Sequence, residues 1–231
     1  MRVGKKGGEP AASYGEIGIK CLWFWVLSLV GVSLYFLFPP NVDNALLFLV
    51  VIGAYILCSM LAYWVPGSVP VLGSVAAAAL GYIAAFASVS YAKEYANIVW
   101  IALAVTVLVF LVMLFLYTSG IIKVNKKFKA IVFTLFIVSI LGSAGVYISS
   151  LFTSVLTDFF VGDSTLALIV AIGALIIAAL NLAIDFDYIA TIVTKGMKKK
   201  YEWRAAYGLH ITILVIFLRV LHVLSKFMKK K

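Results

Sequence analysis

The stretch LALIVAIGALIIAALNLAIDFDYIA, residues 166–190, carries only two charged side chains, Asp185 and Asp187. Roughly 20 apolar residues of helix cross the hydrocarbon core of a bilayer, so this run reads as a membrane-spanning helix. A carboxylate embedded there costs roughly 2.5–3.5 kcal/mol on insertion scales. The two acids therefore need something in return for their position, and the residues that follow them are the place to look.

Working outward, the same signal recurs along the chain. Apolar runs occupy 21–38, 45–65, 69–91, 97–117, 129–152, 166–190 and 204–225. The connections between them are short and carry helix-ending residues, as in PPNVDN at 39–44 and PGSVP at 66–70. Of the 231 residues 65% are hydrophobic and 12% charged, against about 25% charged in soluble domains. The expected architecture is an all-α membrane protein, a bundle of seven transmembrane helices. Its expected organisation is a flexible cytoplasmic N-terminal tail at 1–20, a seven-helix transmembrane domain at 21–225 and a basic C-terminal tail at 226–231. The third run, rich in alanine, glycine and serine, also admits an interfacial or re-entrant reading.

Charge placement sets the orientation. With seven spans, the N-terminus shares a side with the 2–3, 4–5 and 6–7 loops, and those regions hold thirteen Lys/Arg. The opposite loops hold one, Lys93. Lysine and arginine accumulate on the cytoplasmic side, so the N-terminus is expected in the cytoplasm of a multi-pass cell-membrane protein. The final KFMKKK, 226–231, runs against this bias, and a last segment that turned back would place it inside. The net charge of +10 needs no nucleic acid: the basic residues flank apolar runs, where anionic head groups of the lipid bilayer are their partners. Cys21 and Cys58 lie in or beside apolar runs and form no metal-ligand spacing, so neither a disulfide framework nor a resident cofactor is expected.

Within the third run, Gly73, Ala77, Gly81 and Ala85 recur every fourth residue. They stack on one helix face, where small residues let neighbouring backbones approach. That feature points to packing.

Most embedded polarity sits in the last two runs. Asn181, Asp185 and Tyr188 follow i, i+4, i+7 and form one stripe, whereas Asp187 is rotated by about 200° from Asp185 and faces the other way. The two acids are therefore separate positions. Counting from the basic 6–7 loop, Asp185 lies about 15 Å along the helix from Lys195. His210, with Thr212 just beyond it, lies at matching depth on the seventh run. A carboxylate beside a histidine in a low-dielectric bundle titrates as a coupled pair near physiological pH, which suits proton-dependent opening. A lone buried histidine that only hydrogen-bonds its surroundings is the plainer alternative for His210. Glu202 and Arg204 sit at the mouth of the seventh run, available to the sixth helix or to lipid. Arg219 and His222 lie near its far end, where snorkelling explains them.

Enzyme chemistry is not expected. His210 and His222 are twelve residues apart on one helix and cannot share an ion, and Asp163, in VGDS at 161–164, is remote from Asp185. Self-similar halves of the kind secondary transporters carry are not visible.

Three stretches carry a family resemblance: YTSGIIKVNKKFKAIV at 117–132, ALNLAIDFDYI at 179–189 and EWRAAYGLHITILVIFLRVL at 202–221. With their order and spacing they resemble the Bax inhibitor family, in particular its bacterial branch. The resemblance implies a seven-helix bundle with the last helix near the centre and a pH-sensitive calcium leak. For eukaryotic members it implies restraint of cell death. It also implies a latch in which an acid on the sixth helix pairs with one on the seventh. Asp185 matches the first acid; aligning FLRVL puts Thr212 where the second would be. The partner of Asp185 is then His210 or Thr212, or else Asp187 and Glu202 take over the partner role. The expected activity is a cation leak passing calcium or protons, with calcium bound at most transiently at Asp185. The alternative is a non-transporting scaffold that acts through membrane-protein partners.

Overall fold

Ser13 sets the start of the first helix. Its backbone is extended (φ −133°, ψ 152°) and its side-chain oxygen accepts from the Glu16 amide, which makes it an N-cap. The computed structural model describes residues 11–40, 45–150 and 164–229. Seven helices run through them: α1 Tyr14–Leu37, α2 Ala45–Trp64, α3 Ser74–Glu94, α4 Ile98–Thr118, α5 Lys126–Ser150, α6 Thr165–Thr194 and α7 Lys200–Lys229. Pro66–Ser68 forms a 3₁₀ turn and Val69–Gly73 a π turn that leads into α3. Asp163 and the ends of both tails, residues 1–10 and 230–231, lie outside the described residues.

Six stretches are long and apolar enough to cross a membrane, and they include α1–α4, α6 and α7. The third of them, Val69–Glu94, takes in the π turn ahead of α3. Among these, α3 and α7 bury the largest share of their length and α2 the least.

At two places the helices run beyond the apolar runs. Residues 14–20, expected in a flexible tail, form the first turns of α1, because Ser13 caps them and Glu16 pairs with Lys20 one turn on. At the other end α7 continues to Lys229, so Lys226–Lys229 are helical. Lysine, phenylalanine and methionine offer no helix breaker there.

The chain divides into two compact units, Met1–Ala85 with Asp187–Ile211, and Phe86–Phe186 with Thr212–Lys231. In the first, α1 buries Ile17, Cys21, Phe24, Ser28, Gly31 and Tyr35, one face at helical spacing. That face meets the small residues of α3. A Cβ on Gly31 would overlap the Ala78 carbonyl, and one on Gly81 would overlap the backbone of Ser28. The two helices thus touch backbone to backbone. The stripe foreseen in the third run lies in this packing: Ala77 and Ala85 are buried, and Gly73 sits against Val69, Phe24 and Tyr207. The core continues through Ile192 of α6 and Ala205, Ala206 and Tyr207 of α7.

In the second unit, Phe186 of α6 packs edge-on against Phe110 and tilted against Tyr117, both on α4, with ring centroids 5.6 and 5.9 Å away. The Tyr91 hydroxyl meets Nδ1 of His222 at 3.0 Å. His222, for which snorkelling was the expectation, therefore has a partner on α3 within the protein.

Candidate functional site

The second unit holds Asp185, near the C-terminal end of α6, and Thr212, on α7. The Thr212 hydroxyl hydrogen-bonds the Asp185 carboxylate. The other carboxylate oxygen, Oδ2, is buried and has no hydrogen-bond partner among the described residues. Of the partners open to Asp185 in the sequence, the hydroxyl at the aligned position on α7 is thus the one it meets. Leu182 and Phe186, either side of it on α6, are buried. Asn181, one turn earlier, is half-buried.

His210 is occupied elsewhere. It is fully buried in the first unit, where Nε2 lies 2.8 Å from the Ser28 hydroxyl. Ser28 spends its single proton on the Ala77 carbonyl at 2.9 Å. We therefore assign Nε2 as the donor to Ser28 and Nδ1 as the bare nitrogen. The relay runs from α7 to α1 to α3 and joins three helices by two bonds. The imidazole also stands edge-on to Trp25, centroids 5.1 Å apart, and tilted to Phe24 at 5.9 Å. A proton on Nδ1 would be a buried donor without an acceptor among the described residues, and the imidazole is held here by Ser28, Trp25 and Phe24. His210→Phe should then cost about 1 kcal/mol while preserving the ring contacts. Denaturant titration in detergent micelles checks this; a loss several times larger would reveal a role beyond the relay.

Glu202 is the second buried acid. It is 0% exposed in the first turn of α7. Its Oε1 accepts from the Ser13 amide at 2.9 Å and its Oε2 from the Lys20 ammonium. Lys20 also reaches Glu16 at 3.2 Å and lies over the Trp203 ring, 5.5 Å from its centroid. Glu202 thus turns to α1 and to the residues ahead of it; the readings that gave it the sixth helix or the role of Asp185's partner are corrected. The cause is the extended segment before α1, which brings Ser13 and Lys20 within reach. Arg204 turns to α2, its guanidinium 4.7 Å over the Tyr63 ring. Tyr188 packs on the core of the first unit, and Asp187 is half-buried in that unit.

Sequence reasoning missed Ser13, Lys20 and Ser28. Ser28 had a faint signal, a hydroxyl inside an apolar run. Lys20 was counted only as a topology charge.

A family profile described as Bax inhibitor 1 like matches residues 6–229, nearly the whole chain. The chain belongs to this family. No curated protein matches it. For this Bax inhibitor 1 like chain, the match spans Asp185, Glu202, His210 and Thr212 together, along with the helices that carry them.

Proposed function

We propose that this Bax inhibitor 1 like protein is a pH-sensitive leak for calcium or another cation, with Asp185 as its sensing acid. In this reading it threads the cell membrane seven times with its N-terminus in the cytoplasm, and it needs no resident cofactor. One observation carries the reading: Asp185 keeps a buried carboxylate oxygen with no hydrogen-bond partner among the described residues, and its polar neighbour on α7 is the neutral Thr212 hydroxyl. A carboxylate paired with a hydroxyl can gain or lose a proton without breaking an ion pair. Its charged form offers oxygen to a hard cation. Asn181, one turn earlier, supplies the polar continuation of that helix face.

The test is calcium and proton flux into liposomes from about pH 5 to about pH 8, a window around the ordinary histidine pKa. Asp185→Asn should flatten the flux-against-pH curve, because an amide does not titrate there. His210→Phe should leave the curve's shape as in wild type. An Asp185→Asn curve that superimposes on wild type would remove Asp185 from the mechanism. The second reading, a scaffold acting through membrane-protein partners, rests on the same geometry taken as packing only. Folded protein that passes neither calcium nor protons would select it.

A further inference from the structure

The residues ahead of α1 do more than cap it. The Ala12 amide donates to the Met197 carbonyl at 2.9 Å, and Ala11 forms an isolated antiparallel bridge with Lys198. Ala12 is 6% exposed, buried although it belongs to no helix. Met197 and Lys198 lie in the turn that joins α6 to α7. That turn closes α6 by a Schellman arrangement: the Met197 amide returns to Ile192 O and the Gly196 amide to Val193 O, with Gly196 at φ 58°. The atom nearest to a Cβ placed on Gly196 is the Ala11 methyl, 3.9 Å away. The next residue, Ser13, gives its amide to Glu202.

We propose that Ala11–Ser13 is a releasable strap across the α6–α7 turn, and that Glu202 is its anchor. Two features separate it from an ordinary N-terminal segment. First, among the described residues two hydrogen bonds hold it: Ala12 N–H to the Met197 carbonyl, which is part of the Ala11–Lys198 bridge, and Ser13 N–H to Glu202. So short a set opens locally without global unfolding. Second, the anchor is a carboxylate buried to 0% whose protein partners, the Ser13 amide and Lys20, come from the strap and the first turns of α1. Docked, the acid is satisfied on both oxygens. Undocked, Oε1 loses its donor and draws in water or an alternative donor, so the two states differ in the contents of one small polar site. The charges around it close on themselves, with Lys20 between Glu16 and Glu202 and Lys199 4.0 Å from Glu16. The device controls the freedom of the α6–α7 turn within the first unit.

The test is hydrogen exchange on the full chain in lipid nanodiscs, which needs no transport assay and stands whether or not the leak reading does. In wild type the Ala12 and Ser13 amides should exchange much faster than interior amides of α1, and the turn amides Gly196 and Met197 should follow them. Glu202→Gln weakens the anchor and should speed the strap amides by at least about tenfold. Ala12→Pro deletes the amide that bonds Met197 O and leaves every helix residue in place. It should speed Ser13 and Met197 together, with α1 and α3 interiors unchanged, which keeps the test decisive if Glu202→Gln fails to fold. Strap amides as slow as the α1 interior in wild type would overturn the proposal. So would Ala12→Pro speeding Ser13 while Met197 stays at its wild-type rate.

Discussion

Gly31→Ala and Gly81→Ala should each destabilise the folded chain by about 1–3 kcal/mol or more, and the double variant should fail to accumulate in the membrane. The reason is the backbone crossing of α1 and α3. At Gly31 an added methyl would enter the Ala78 carbonyl, and at Gly81 it would enter the Ser28 backbone. Neither obstacle is the end of a flexible side chain, so the helices themselves must move apart. That movement would also disturb the bond from Ser28 to Ala77, which lies at the same crossing. The control is built into the chain. Gly53 on α2 and Gly173 on α6 have open space where a Cβ would go. There the same substitution gains helix propensity, roughly 0.5–1 kcal/mol. Unfolding of purified protein by denaturing detergent, read by circular dichroism, measures all four. Gly31→Ala matching Gly53→Ala in sign and size would show that the crossing is loose.

Lys20→Met should be the most damaging single substitution of a charged residue, costing about 3–5 kcal/mol. It removes the ammonium from a carboxylate that is 0% exposed and leaves Glu202, among the described residues, with the Ser13 amide. A buried pair contributes little net stability compared with apolar residues of similar volume, but a buried charge stripped of its partner carries the full desolvation cost. The double variant Lys20→Met with Glu202→Gln should therefore be more stable than Lys20→Met alone. Thermal unfolding of the three proteins in one detergent tests the order. A double variant less stable than Lys20→Met alone would mean that Glu202 keeps other support without Lys20.

Much of the scaffold was legible because each span announces itself locally. Some twenty consecutive apolar residues have one low-energy disposition in a bilayer, and α1–α4, α6 and α7 sit close to the runs that encode them. The small-residue face of α3 was legible for the same reason: a spacing of four makes a stripe whatever lies opposite. Counting residues from the basic turn put His210 level with Asp185 and Thr212 just beyond, and it is Thr212 that neighbours the Asp185 carboxylate. The partners of His210 and Glu202 were not legible. Ser28 is 182 residues from His210, and Ser13 is 189 from Glu202. No periodicity connects positions so far apart.

By itself the sequence determined that this is a helical, multi-pass membrane chain of the Bax inhibitor 1 like family, with Asp185 and Asp187 as acids that have to be accounted for. Those conclusions need only composition, apolar run length and motif, which are properties of neighbouring residues. Tertiary structure alone decided which acid meets which partner. It gave Asp185 a hydroxyl, gave Glu202 an amide and an ammonium from the N-terminal end, and took His210 into a relay with Ser28. The physical reason is that a buried polar group is satisfied by whatever donor the packing brings within about 3 Å. That choice is made by helix crossings such as that of Gly31 on α1 against Ala78 on α3, which a one-dimensional pattern does not contain.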